Sequence, residues 1–275
     1  METKAIQFYF ICDELLKGIG FKDDPQAQMT NAEVMTFALI AADQCYGNFR
    51  RARLISIHGR FFSRLLSEGR INKRIHQIPL IVWHLLFRFL ANKLMENYSG
   101  TEFAVDSFPV FCCQKCRIDR RKILKDKKFI GYSASKRKYF CGVKVHMVVT
   151  CDGSPVEFSV SPGSRGDLAE LWKMPLEIPI GSRLYADGAY NSYELEDILL
   201  EDEGIQLLSK RTKTHKNRPH PEELAQIISP RRQIVETCFS CITALLPRYI
   251  KYTTEQGFLL KVVTTVLAYS FSKLA

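Results

Sequence analysis

The stretch Arg183-Leu184-Tyr185-Ala186-Asp187-Gly188-Ala189-Tyr190 constrains the fold more than any other part of the chain. Arg183 to Ala186 lead in as a strand. Gly188 allows a sharp turn, because glycine tolerates backbone angles that other residues avoid. A helical pattern then runs from Ser192 to Glu203, with Leu195, Ile198 and Leu199 on one stripe. A strand that turns through Asp-Gly into a helix is a building block of an α/β sheet. It places Asp187 at the C-terminal end of the strand, where such sheets gather their chemistry. One carboxylate there carries little meaning unless others converge on it.

The chain before this stretch changes texture once. Residues 1 to about 100 read as helical. Ile6, Phe10, Leu15 and Ile19 recur as one helix face, Thr30-Asn31-Ala32-Glu33 is a capping box, and Val34, Phe37, Ala38 and Ala41 continue an apolar stripe. Arg50, Arg51, Arg53, Arg60 and Arg64 lie among apolar residues and suit either phosphate contacts or a solvated face. Pro79 kinks or starts a longer helix that ends near Asn97. Tyr98-Ser99-Gly100 marks the boundary between a helical domain, 1–100, and a second domain, 101–275.

From Thr101 strands take over. Phe103 to Val110 is a buried strand with Asp106 inside it, a costly position unless the carboxylate is paired, protonated or bound to metal. Tyr139 to Cys151 alternates strongly, Asp152-Gly153 is a hairpin turn, and Val156 to Val160 returns. Asp167 is placed to cap a helix beginning at Leu168, and capping is favoured over catalysis for it. Ile205 to Leu208 forms a further strand. Pro219 to Ile228 reads as a short helix, and a second helix opens at Arg231, where Arg232 and Glu236 share a face. The order is that of an α/β mixed sheet flanked by helices.

Charge bounds the partner. The chain of 275 residues carries a formal net charge of +10. Lys115 to Lys144 holds twelve basic residues against Asp119 and Asp126, a local excess equal to that net charge. The basicity is therefore concentrated, with Tyr132 and Tyr139 interleaved, as suits tracking of a nucleic-acid backbone with stacking on bases. Lys122, Lys125, Lys127, Lys128, Lys136, Arg137 and Lys138 in this segment are candidate DNA contacts, as are Lys210, Arg211 and Lys213 after the last strand, and Arg232. No apolar run reaches membrane-spanning length. Nine cysteines cannot all pair, and the N-terminus shows no secretory leader, which predicts reduced thiols in the cytoplasm. Cys113-x-x-Cys116 and Cys238-x-x-Cys241 have the spacing of zinc half-sites. With no His at finger spacing, they read as buried small residues.

Three acidic residues on the right elements would make a set of hard oxygen ligands for Mg²⁺ or Mn²⁺. The motifs Ala104-Val105-Asp106-Ser107-Phe108-Pro109-Val110, Tyr185-Ala186-Asp187-Gly188-Ala189-Tyr190 and Arg232-x-x-x-Glu236 together resemble the signatures of bacterial insertion-sequence transposases of the DDE class, nearest to the nine-eighty-two family. The resemblance implies an RNase H-like catalytic fold behind a helical N-terminal domain, a catalytic and metal-binding triad of Asp106, Asp187 and Glu236, two Mg²⁺ or Mn²⁺ ions, and cleavage and transfer of DNA strands. It also implies a homodimer holding two DNA ends. Related transposases carry a Tyr before the Arg and a Lys two turns after the Glu. Here those positions are Ser229 and Thr243. An RNase H-like nuclease without strand transfer and a catalytically decayed DNA-binding protein are the competing readings.

Overall fold

The computed structural model describes residues 2–114, 118–119, 121, 123–133, 137–211, 217–247 and 249–274. They form two compact units, Met1–Leu90 with Cys241–Ala275, and Ala91–Ser240. The division falls at Leu90/Ala91 and at Ser240/Cys241, so the last helix is grouped with the N-terminal helices.

The helical unit contains α1 (Glu2–Gly18), α2 (Asn31–Cys45), α3 (Phe49–His58), α4 (Glu68–Gln77), most of α5 (Leu80–Glu96) and, at the C-terminus, α9 (Glu255–Ser272). Helix α2 starts as expected. The Thr30 hydroxyl accepts from the Glu33 amide and the Glu33 carboxylate accepts from the Thr30 amide. Apolar side chains all round α2 are buried, which makes it the central helix of the unit. It packs against α1, α3, α4 and α9. The buried face of α1 differs from expectation. Ala5, Phe8, Cys12, Leu15 and Leu16 point inward, and the Phe8 ring meets Phe271 edge-on at 4.7 Å. Ile6, Phe10 and Ile19 are exposed. Both sets have helical spacing, so periodicity alone could not choose between them. Pro79 directly precedes α5, as its missing amide allows.

The second unit is built on a six-stranded sheet: β1 (Glu102–Gln114), β2 (Ile130–Ser133), β3 (Lys138–Thr150), β4 (Pro155–Pro162), β5 (Arg183–Ala186) and β6 (Gln206–Ser209). Strand β3 lies between β1 on one side and β2 and β4, which follow one another along its other edge. These pairings are antiparallel. Beyond β1 the sheet continues in parallel with β5 and then β6. This mixed order is the RNase H-like arrangement that the sequence predicts. Short helix α6 (Asp167–Leu171) and α7 (Tyr193–Asp202) supply the crossovers. Phe103, Val105, Val148, Leu184, Ala186, Leu195 and Leu199 form the core on one face.

Helix α8 (Glu222–Leu245) belongs to this unit as far as Ser240. It packs on the opposite face, where Phe239 meets Phe108 at 4.6 Å between ring centres. It runs unbroken through Pro230 and so joins what the sequence divides into two helices. Proline removes one backbone donor there, but burial of Val235, Cys238 and Phe239 beyond it holds the helix to the sheet.

Candidate active site

Strand register brings the two aspartates together. Glu102, Phe103 and Ala104 of β1 pair in parallel with Arg183, Leu184 and Tyr185 of β5. Two residues further along each chain are Asp106 and Asp187. Successive strand side chains alternate between faces, so both carboxylates share the face of Glu102 and Tyr185. That is the face on which α8 packs. The Tyr185 hydroxyl donates to Glu102 at 2.7 Å, and Arg231 of α8 pairs with Glu102 at 3.2 Å. One residue on, Arg232 donates to Asp106 Oδ2 at 2.6 Å and to Glu236 Oε1 at 2.8 Å. The guanidinium therefore joins the first and third predicted acidic residues, and the neighbouring arginines fasten α8 along β1.

Asp106 is the strained member. Burial pushes its carboxyl up from 3.8 to about 6. The Ser107 amide, which donates to Oδ1 at 2.7 Å, and Arg232 oppose that rise, while the charges of Asp187 and Asp167 add to it. Asp187 closes β5 and accepts from the Ala189 amide at 2.8 Å, capping the 3-10 turn Gly188–Tyr190. The buried Tyr190 phenol reports the same negative field. Burial first, then Asp167, Asp106 and Asp187, raise it well above its ordinary value. Glu236 is exposed on α8.

Asp167 corrects an expectation. Gly166 occupies the cap position of α6 without a side-chain bond, and Asp167 is the first helical residue. Its carboxylate instead accepts from the Ser107 hydroxyl at 2.7 Å and from Lys144 at 3.0 Å. Ser107 pairs with His146 across β1 and β3, and Lys144 lies two residues before His146. Alternation puts all three on the face opposite Asp106. His146 donates to or accepts from the Ser161 hydroxyl at 2.8 Å, and burial lowers its pKa to about 4, so it is neutral at physiological pH. The sequence does not single out Ser107, Lys144, His146 or the Glu102–Arg231 pair. The period-two pattern of β3 is the signal that places Lys144 and His146 on one side.

A family model described as a transposase DDE domain matches residues 96–252, more than half of the chain. The chain belongs to this family. Comparison with curated proteins and with solved structures gives no match. Membership in the DDE transposases makes DNA the partner and a divalent metal the general cofactor of the family. The residues present fit such an ion. Asp106 and Asp187 offer oxygen donors side by side, Asp106 is held against its own ionisation by burial and like charge, and Asp106 and Glu236 already converge on one cationic group.

The predicted DNA contacts of this DDE domain differ in their freedom. Lys125, Lys127, Lys128, Arg137, Lys138 and Lys210 are exposed. Beside them Tyr132 and Tyr139 pair across β2 and β3, with ring centres 5.1 Å apart and about half of each side chain exposed. Arg211 is committed to Glu196 through two nitrogens and lies over the Tyr193 ring. Arg232 is committed to the acidic site. Lys122, Lys136 and Lys213 lie outside the described residues. Among the described residues no single helix is long and apolar enough to cross a membrane; only the sharply bent pair Glu68–Gln77 and Leu80–Glu96 passes by length and composition.

Proposed function

We propose that this DDE transposase cleaves and transfers DNA strands at the ends of an insertion sequence, with Asp106, Asp187 and Glu236 as its catalytic triad. The observation that carries the reading is the convergence of Asp106 with Asp187 by strand register and with Glu236 through Arg232. The three carboxylates would hold two Mg²⁺ or Mn²⁺ ions. When bound, such ions supply Lewis acidity and stabilise the attacking and leaving oxygens of an in-line phosphoryl displacement. Arg232 orients Asp106 and Glu236 toward one point and holds their mutual repulsion down. Arg231 and Glu102 fix α8, so Glu236 is carried on a rigid helix rather than a loop. The Ser107–Asp167–Lys144 network braces β1 beside Asp106 from the other face.

Lys125, Lys127, Lys128, Arg137, Lys138 and Lys210 supply sequence-independent phosphate contacts in this reading, with Tyr132 and Tyr139 as a stacking surface. The helical unit gives further DNA contact. Two copies act together on two ends, in the cytoplasm at the nucleoid. The test is a strand-cleavage and strand-transfer assay on labelled element ends with Mg²⁺. Asp187→Ala should abolish both reactions and leave DNA binding largely intact. Retained cleavage refutes the triad, and cleavage without joining by the unaltered protein replaces transposase with nuclease.

A further inference from the structure

Far along β1 from the carboxylates, the ladder with β3 contains a bulge. Phe111 pairs with Gly142 and Cys113 pairs with Cys141, so Cys112 is the extra residue. A bulge sets two residues of one strand against one of its neighbour and breaks the alternation of faces. Here it turns the Cys112 and Cys113 side chains toward Cys141. The three sulfurs all lie within 4.8 Å of one another, with Cys141 buried and the other two half-buried. Gly142 is what lets the strands close at this place. A Cβ there would stand 2.1 Å from the Val110 carbonyl oxygen.

We propose that Cys112, Cys113 and Cys141 form a binding site for a thiophilic divalent cation, Zn²⁺ foremost. Thiolates at about 2.3 Å from a tetrahedral zinc stand about 3.8 Å apart, so sulfurs already within 4.8 Å need close by only about 1 Å. Three thiolates are soft donors that select zinc over the Mg²⁺ or Mn²⁺ suited to the carboxylates. The rim of the site is built rather than loose. Arg121 donates to the backbone carbonyls of Ile118, Leu124 and Lys125, which fixes the turn above the cluster, and the Cys141 thiol faces the Leu124 carbonyl at 3.8 Å. That turn contains Leu124 in a left-handed conformation at φ 52°, a shape held by its surroundings. Thiols must lose their protons to ligate, so binding releases protons and tightens as pH rises.

The site has a structural consequence. Asp106 lies six residues from Cys112 along β1, about 20 Å at strand rise, so the cation belongs to a different place from the acidic cluster. It would fasten the end of the β1–β3 ladder from which the basic segment departs. The second cysteine pair does not behave alike: Cys238 is buried and Cys241 exposed, and neither joins a cluster among the described residues. Cys116, which the spacing pairs with Cys113, lies outside the described residues.

The experiment is metal analysis of the full chain purified without chelator from zinc-supplemented culture, followed by reconstitution with Co²⁺. Zinc at about one ion per chain, lost at least tenfold in Cys113→Ser and in Cys141→Ser but retained in Cys12→Ser, supports the site. So does a thiolate-to-cobalt charge-transfer band in the unaltered protein, a readout independent of whether a variant folds. Absence of both zinc and the cobalt band overturns the proposal, as does zinc that persists when all three cysteines are replaced. None of these readouts involves strand cleavage, so a failure here leaves the triad standing.

Discussion

Asp106→Asn should make the metal-free protein more stable while abolishing catalysis. Burial raises this carboxyl from 3.8 to about 6 even with Arg232 beside it. A folded-state value above the unfolded one means the fold holds the proton more tightly than the open chain does. The favourable contribution is complete below about 3.8 and disappears as pH rises through about 6. At neutral pH the ionised side chain therefore opposes folding by about 3 kcal/mol, taking about 1.36 kcal/mol for each pH unit. Asparagine keeps the shape and one acceptor, for Arg232 or for the Ser107 amide but not both, which offsets part of the gain, and Arg232 keeps Glu236. The assay is urea unfolding in chelator near neutral pH, followed by Trp172 in a Trp83→Phe background. The chain has only these two tryptophans, and Trp172 lies in the sheet unit. The variant's midpoint should rise by about 1–2 M urea. Near pH 4 the gain should vanish, and excess Mg²⁺ should stabilise the parent and not the variant, narrowing the gap. A variant no more stable than the parent at neutral pH, or a gain unchanged near pH 4, refutes this account of Asp106.

Three further outcomes separate roles that the sequence runs together. Replacing Lys127, Lys128 and Lys138 together by Gln should flatten the plot of log K against log salt for DNA binding, by about 0.9 for each phosphate contact removed; an unchanged slope removes these residues from the interface. Arg211→Ala should leave that slope nearly unchanged and lower unfolding stability by about 2 kcal/mol, because it abandons Glu196 in a partly buried pair. Asp167→Asn should lower stability by about 1–2 kcal/mol through its bonds to Ser107 and Lys144, yet weaken Mg²⁺ binding far less than Asp187→Asn does. Equal losses of metal affinity would move Asp167 into the metal site.

The sheet and the acidic motifs were legible because their signals are local and periodic. Strand alternation in β3, the Asp-Gly turn before β4 and the strand–turn–helix at Asp187 each depend on a few neighbouring residues. Arg232 and Glu236 are four apart on a helix, which alone makes them neighbours. Features decided by tertiary packing were not legible. Strand β2 is four residues long and contains Gly131, where an added Cβ would run into the carbonyl oxygen of Gly163, just past β4, so it exists by pairing with β3 and close approach to the end of β4 rather than by propensity. The choice between two equally periodic faces of α1 and the continuity of α8 through Pro230 were likewise settled by what each element packs against.

The bulge at Cys112 is the sharpest case, because one inserted residue reverses which side chains share a face. Strict alternation along β1 would separate Cys112 from Cys113, and no spacing rule links either to Cys141. The same strand carries Asp106 in regular register with β5, where alternation does predict the face. One strand thus presents oxygen donors where its pairing is regular and sulfur donors where it is not. Hard and soft ligand sets at separate places along the strand would keep two metals from competing for one site. A cation at the cysteines would stabilise the ladder without touching the carboxylates, whose repulsion Arg232 moderates and an ion of the other kind would relieve.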